Sequence, residues 1–96
     1  MRLIYTEEAV ADLVRLRVFI AKWSPEAARR MGANLVKRIN NIAAFPEMGR
    51  SVVDAQNPEA VRDAFFGRYV VRYAVHANVV AILRIWHHLE DRSADS

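Results

Sequence analysis

The sequence predicts an α+β fold in which one N-terminal strand and an antiparallel helix hairpin precede three antiparallel strands. Between residues 6 and 45, apolar residues recur at spacings of three and four, which is the period of an amphipathic helix. Between residues 61 and 87, β-branched and aromatic residues dominate, and arginines stand at alternating places, which is typical of strands. Because the helices precede the strands instead of alternating with them, we expect the hairpin to cover one face of the sheet.

The N-terminal half is predicted to form one strand and two helices. Arg2–Tyr5 is a short extended run. The first helix is predicted over Thr6–Lys22, with threonine as N-cap and two glutamates in the first turn, where the helix dipole favours negative charge. Ser24 is the expected N-cap of the second helix, Pro25–Phe45, which ends there because Pro46 disfavours the helical conformation of the residue before it. Helices joined so tightly form an antiparallel hairpin.

Several bulky residues at the ends of these elements are interpreted as packing residues of the core or of the hairpin. They are Trp23, Phe45, Phe65 and Phe66. Residues 46–58 have the composition of a loop, in which Gly49 and Arg50 are expected to shape the exit and Arg50 to pair with an acid such as Asp54.

The register of the last two strands follows from the choice of turn. A three-residue connection, His76–Asn78, pairs Val75 with Val79 and keeps the helix-facing side apolar. A two-residue connection would set Arg84 opposite Val71 and turn an arginine into the core, which is costly without a partner. We therefore expect the three-residue turn.

This register places five residues on the face away from the helices, with Arg84 diagonal to the other two arginines. They are Arg68, Arg72, Arg84, Trp86 and His88. These arginines repel one another unless an anion lies across them; the alternative is a solvated face with screened charges.

Composition limits the classes of function. Ninety-six residues make one domain, with a short C-terminal tail from about residue 89, and the absence of cysteine excludes disulfides and thiolate metal sites. The histidines lack metal-ligand spacing and no glycine-rich nucleotide loop occurs, so we expect no metal and no cofactor. No apolar run is long enough to cross a bilayer and the N-terminus lacks a signal-peptide pattern, so a cytoplasmic protein is expected.

Basic residues outnumber acidic ones. The net charge is +3, the pI is about 9.8, and twelve of the fourteen cations are arginine. The planar guanidinium suits bidentate binding of phosphate or carboxylate, although a GC-rich coding sequence would produce the same bias. A charge of +3 fits a nucleic acid and an acidic protein partner equally well.

Four segments, in this order, resemble the RelE/ParE family of toxins from bacterial type II toxin–antitoxin modules. They are the N-terminal strand with its helix hairpin, P-E-M-G-R (Pro46–Arg50), Y-V-V-R-Y (Tyr69–Tyr73) and V-A-I-L-R-I-W-H (Val80–His87). The resemblance covers essentially the whole chain, and P-x-x-G-R is closer to ParE and plasmid-stabilisation members than to RelE ribonucleases. It implies the β-α-α-β-β-β fold and a hetero-oligomer with a cognate antitoxin, whose other end binds operator DNA.

The resemblance implies two different activities: ParE-like members poison DNA gyrase, while RelE-like members cleave mRNA in the ribosomal decoding site. Our hypothesis from the sequence is a ParE-like gyrase inhibitor without catalysis of its own, because the basic tail of many nuclease members is replaced by the acidic Glu90–Ser96. The alternatives are a RelE-like endonuclease, and a degenerate toxin that only binds its antitoxin, which would fit the departures from the family pattern at Leu89 and Glu90.

Under the nuclease alternative the catalytic candidates are Arg62, Arg84, His87 and His88. The arginines would stabilise charge at the scissile phosphate, and the histidines would act as acid and base. Strict alternation points His87 towards the helices and His88 towards the arginines. The competing interpretation of His87 is a structural histidine at the end of a strand.

The predicted partner-binding residues lie on the arginine face. They are Arg68, Arg72, Arg84 and Trp86. Arginine and tryptophan are enriched in protein interfaces. We expect an antitoxin segment of acidic to amphipathic character that either crosses this face or packs along the helix hairpin, and Trp86 to be exposed to the partner or covered by the tail.

Overall fold

The computed structural model describes residues 1–52 and 60–90, which form a five-stranded mixed sheet with a helix hairpin packed on it. The elements in chain order are β1 (Arg2–Tyr5), α1 (Glu7–Ala21), α2 (Pro25–Ala44), β2 (Arg50–Ser51), β3 (Val61–Phe66), β4 (Tyr69–His76) and β5 (Val79–His87). The strand order is β1-β5-β4-β3-β2, with β1 parallel to β5 and the other pairs antiparallel. The predicted fold class is confirmed. The two-residue β2, inside the predicted loop, is an addition.

Both predicted helix caps form. The Thr6 hydroxyl oxygen accepts a hydrogen bond from the Ala9 amide at 3.1 Å, and the Ser24 hydroxyl oxygen accepts one from the Ala27 amide at 3.1 Å. The Thr6 hydroxyl also donates to the Ile82 carbonyl oxygen at 2.9 Å, so the start of α1 is tied to β5. The helix ends lie within one residue of their predicted positions because capping is a local property of the sequence.

The core lies between the hairpin and one face of the sheet. Its buried members on the helices are Ala9, Leu16, Leu35, Ile39 and Ile42, and those on the strands are Ala64, Phe66, Val71, Tyr73, Val80, Ile82 and Ile85. Alternate strand residues supply this layer, as expected for a sheet covered on one side. Within the described ranges, neither helix is long and apolar enough to traverse a bilayer.

The predicted strand register is wrong. β4 and β5 are joined by two residues, Ala77 and Asn78, so that His76 lies opposite Val79 and the predicted pair Val75–Val79 does not form. Ala77 adopts a positive φ of 53°, which two-residue hairpin turns demand.

A β-bulge removes the reason for which the two-residue turn was rejected. Tyr73 lies opposite Ile82, but its neighbour Arg72 lies opposite Arg84, so Leu83 is an extra residue in β5. The extra residue shifts the alternation by one position and keeps Arg84 off the core face. Arg84 therefore lies directly opposite Arg72 and not diagonal to it.

Three of the four predicted aromatic packing residues lie in solvent. Trp23 is 83% exposed in the turn after α1, and Phe45 and Phe65 are also exposed, so their assignment to the core was wrong. Phe65 is on the outer face of β3, which no helix covers, whereas its neighbour Phe66 is buried as predicted.

Candidate functional site

Arg72 and Arg84 form a facing pair on β4 and β5, and Arg72 is neutralised within the sheet. Its Nε and Nη2 atoms donate to the two carboxylate oxygens of Asp63 at 2.8 and 2.9 Å. Its guanidinium also lies 5.2 Å from the centroid of the Trp86 ring, within the range of a cation–π contact. The hydrogen bonds with Asp63 raise the pKa of Arg72. Trp86 itself is buried, so it offers little surface to a partner.

Arg84 binds a buried carboxylate on α1. Asp12 is 2% exposed and accepts hydrogen bonds from Arg84 Nε at 2.8 Å, from Arg84 Nη2 at 3.1 Å and from the Ile85 amide at 2.8 Å. Arg15 Nη1 donates to the same carboxylate. Burial alone would raise the pKa of Asp12, but the hydrogen bonds from Arg84, Ile85 and Arg15 outweigh it and lower the pKa. This carboxylate thus fixes the position of Arg84.

Glu90 extends the network to the end of β5. Its carboxylate accepts hydrogen bonds from Arg15 Nη2 at 3.0 Å and from the His87 amide at 2.9 Å. Arg15 also donates to the Ile85 carbonyl oxygen at 3.2 Å. The sequence interpretation of Glu90, as a departure from the family pattern that fits a degenerate toxin, missed this role, in which it ties the strand end to α1.

His87 and His88 lie at the rim of the sheet beside Tyr69. The two imidazole rings are stacked, with centroids 4.8 Å apart and an angle of 28° between their planes. The Tyr69 ring lies edge-on to His87, with 5.3 Å between the ring centroids. His87 Nδ1 accepts a hydrogen bond from the Leu89 amide at 3.1 Å, so the proton of the neutral ring is on Nε2. Burial, followed by the charges of His88 and Arg68, lowers the pKa of His87. The neutral imidazole is therefore favoured.

Arg62 lies away from the histidines. Its Nη1 donates to the carbonyl oxygens of Gly49 at 2.7 Å and Glu47 at 3.3 Å. Arg62 on β3 pairs with Tyr73 on β4, which pairs with Ile82 on β5, five residues before His87. At about 3.3 Å per residue, Arg62 and His87 are displaced by roughly 16 Å along the strand direction, besides lying two strands apart. The predicted nuclease set is thus divided between two parts of the sheet.

The P-E-M-G-R segment is held by Tyr73. The buried tyrosine hydroxyl donates to the Pro46 carbonyl oxygen at 2.8 Å and accepts from the Gly49 amide at 2.9 Å. A Cβ atom at Gly49 would lie 2.8 Å from both the Asp63 carbonyl oxygen and the tyrosine oxygen, so only glycine fits. The motif therefore has a structural explanation. The predicted Arg50–Asp54 pair involves a residue outside the described ranges, as does cover of Trp86 by residues 91–96.

Sequence reasoning missed the network of Asp12, Arg15 and Glu90. A signal was present, because Asp12 lies three residues after Ala9 and four before Leu16, on the buried stripe of α1, where a carboxylate requires partners. In the part of the chain that the structure describes, no group of three or more histidine or acidic side chains is placed to hold a metal ion.

Comparison with known proteins decides the family. The sequence profile described as "ParE toxin of type II toxin-antitoxin system, parDE" matches residues 3–92. The chain belongs to this family. A relative named Toxin RelE2, from Caulobacter vibrioides, is 35% identical over 86 residues, which cover 90% of this chain and 93% of the relative. Because the family is named ParE and the relative RelE, the assignment is to a type II toxin of the RelE/ParE superfamily.

Solved structures share the fold of this ParE-family toxin. A chain of the chromosomal ParDE toxin–antitoxin system from P. aeruginosa superimposes with a TM-score of 0.74 at 24% identity, over 91% of this chain and 95% of that one. A chain of the RelBE2 toxin–antitoxin complex from Mycobacterium tuberculosis gives a TM-score of 0.67 at 20% identity, over 93% and 92% of the two chains. At these identities the likeness shows the fold alone.

Proposed function

We propose that this toxin inhibits DNA gyrase by binding it and does not cleave mRNA itself. The observation that carries the proposal is the internal use of the nuclease candidates. Cleavage of mRNA needs cations directed at the scissile phosphate and an acid–base pair beside them. Arg84 is held by Asp12. Arg62, two strands away from His87 and displaced roughly 16 Å along the strand direction, is held by backbone carbonyls. This arrangement supports a toxin that acts through its surface.

Two assays on the purified chain test the proposal. Gyrase supercoiling activity is measured with increasing toxin, and the integrity of a reporter mRNA is followed in a translating extract. We expect gyrase inhibition with intact mRNA. Cleavage at codons in the ribosomal site would overturn the proposal in favour of the endonuclease. No effect in either assay from a folded chain would leave a toxin that only binds its antitoxin.

A RelE-like endonuclease is the second candidate, because the relative is named RelE and the rings of His87 and His88 stack at the rim. His88→Ala separates the two candidates, since this side chain is exposed and contributes little to the core. If the toxin is an endonuclease, His88→Ala should lower its rate of mRNA cleavage roughly a hundredfold, the scale expected for the loss of an acid–base group. A gyrase inhibitor should keep its activity.

We further propose that a cognate antitoxin binds this chain along the helix hairpin. The solved structures with this fold come from toxin–antitoxin systems. On α1, Val10, Val14 and Val18 recur every fourth residue and are about half exposed, so one side of the helix presents an apolar stripe to solvent. Such a stripe suits an amphipathic segment of a partner. The arginine face, in contrast, has Arg72 paired and Trp86 buried.

Two matched substitutions test this docking surface. Val14→Lys and Phe65→Lys each place a charge at an exposed apolar position, on α1 and on the outer face of the sheet. With an antitoxin encoded beside the gene, we expect Val14→Lys to weaken the complex at least about tenfold, as for an interface anchor worth more than 1.4 kcal/mol. Phe65→Lys should bind normally. The reverse result would place the segment across the sheet.

A further inference from the structure

A basic cleft lies between α2 and the turn that joins β3 to β4, and the proposed gyrase inhibition does not depend on it. Its volume is about 320 Å³. Its polar side chains are Asn34 and Arg38 on α2, Arg68 in the turn, Tyr69 on β4 and His87 on β5. The described residues that line it include no aspartate or glutamate.

The two arginines of this cleft differ from those on the sheet. Arg72 and Arg84 hold carboxylates, whereas Arg38 and Arg68 make no ion pair within residues 1–52 and 60–90. The charge of Arg68 is felt at His87, whose pKa it helps to lower. The cleft therefore gathers positive charge that the described residues do not neutralise.

The donors in the cleft suit an oxyanion with several oxygens. Each guanidinium offers five N–H groups, the Asn34 amide offers two, and neutral His87 carries its proton on Nε2. Guanidinium groups bind phosphate oxygens through charge-assisted, often bidentate hydrogen bonds, and the amide and imidazole add neutral donors beside them. At Gly67, with φ of +60°, an added Cβ would meet nothing within 4 Å, so the space beside the turn is open.

We propose that this cleft binds a backbone phosphate of a nucleic acid strand, held between Arg38 and Arg68. The inference goes beyond the proposed function, since both the gyrase and the ribosome alternatives bring the toxin close to nucleic acid. DNA and RNA supply the same phosphodiester chemistry. An acidic peptide side chain is the competing ligand.

Fluorescence anisotropy with labelled single-stranded DNA and RNA octamers of matching sequence tests the cleft, across a salt series. We expect Arg38→Gln and Arg68→Gln each to weaken binding about tenfold, the scale of one charge-assisted hydrogen bond. Each should also reduce the salt slope by about 0.7, as for one phosphate contact on a single strand. The octamer that binds more tightly identifies the natural source.

Arg29→Gln is the matched control. Arg29 is on the same helix, but nine residues from Arg38, which places it about 180° around the helix, and it lines the groove between α1 and α2. The affinity of Arg29→Gln for the octamers should lie within about twofold of the wild-type value, since this substitution changes only the net charge. Circular dichroism verifies that all three variants are folded.

Three results would overturn the proposal. An equal loss for Arg29→Gln would show that net charge alone drives binding. Failure of the wild type to bind either octamer at low salt would exclude a phosphate site, and loss of antitoxin binding in Arg38→Gln instead would assign the cleft to carboxylates. No gyrase is present, so this result and that of the supercoiling assay are independent.

Discussion

Tyr73→Phe removes a single oxygen from the centre of the fold and tests why the P-E-M-G-R segment is held in place. The Tyr73 hydroxyl makes two hydrogen bonds, to the Pro46 carbonyl and the Gly49 amide. Tyr73 is fully buried and Gly49 is also buried, so water does not replace the partner that the Gly49 amide loses. The ring remains in place, and the substitution therefore reports on the hydrogen bonds alone.

The expected cost follows from the two groups left without a partner. A buried donor or acceptor whose partner is removed costs about 1–3 kcal/mol. Because Pro46 is partly exposed, its carbonyl can recover a water molecule, and we count one full penalty, about 2 kcal/mol. For a domain of this size, that loss lowers the melting temperature by roughly 8–16 °C.

Tyr5→Phe is the matched control, because its hydroxyl is buried and has no hydrogen-bond partner among the described residues. Deleting that oxygen should leave the free energy of unfolding unchanged or raise it by up to about 1 kcal/mol. Urea denaturation followed by circular dichroism measures both variants. If Tyr73→Phe costs less than about 0.5 kcal/mol, or the two variants lose equal stability, the explanation of the segment is wrong.

Three further predictions concern stability. Gly49→Ala should destabilise more than an ordinary glycine substitution, by about 3 kcal/mol or to the point of misfolding, since its methyl would overlap the Asp63 carbonyl; urea denaturation measures this. Asp12→Asn should cost on the order of 3 kcal/mol, the lower end for breaking a buried ion pair, because its partner Arg84 is partly exposed; thermal melting checks it. Because the pKa of His87 is lower in the folded chain than in the unfolded one, the unfolded chain takes up the proton first as the pH falls. The contribution of neutral His87 to the free energy of unfolding should therefore be fully present above pH 6.5 and be lost as the pH drops through the folded pKa. Denaturation at pH 7.5 and 5.5 should show this loss, and His87→Gln should abolish it.

Local features of the fold could be predicted from the sequence. Thr6 and Ser24 cap the two helices because a hydroxyl before a helix satisfies an amide three residues later. The hairpin and the order of elements follow from the periodicity of apolar residues together with the helix signals at Ser24, Pro25 and Pro46. The strand register could not be derived in the same way, because the bulge at Leu83 depends on which side chains the helices cover.

The site was predicted less well for a related reason. The arginine positions on β4 and β5 were found by alternation, but their partners were not. Arg84 and Asp12 are 72 residues apart in the chain, and no periodic pattern links them. The sequence therefore does not indicate whether a charged residue on a strand binds a partner protein or forms an ion pair within the fold.

Arg68 differs from Arg72 and Arg84 in the groups that surround its guanidinium. Moving an arginine into a partly buried position costs free energy unless a carboxylate compensates it, so Arg72 and Arg84 have Asp63 and Asp12 beside them. Arg68 is an exposed residue of the β3–β4 turn and needs no such compensation to fold. An external anion can bind a guanidinium without displacing an internal carboxylate only where none is present. The chemistry available for recognition therefore lies at the rim, with Arg68, and not at the centre of the arginine face.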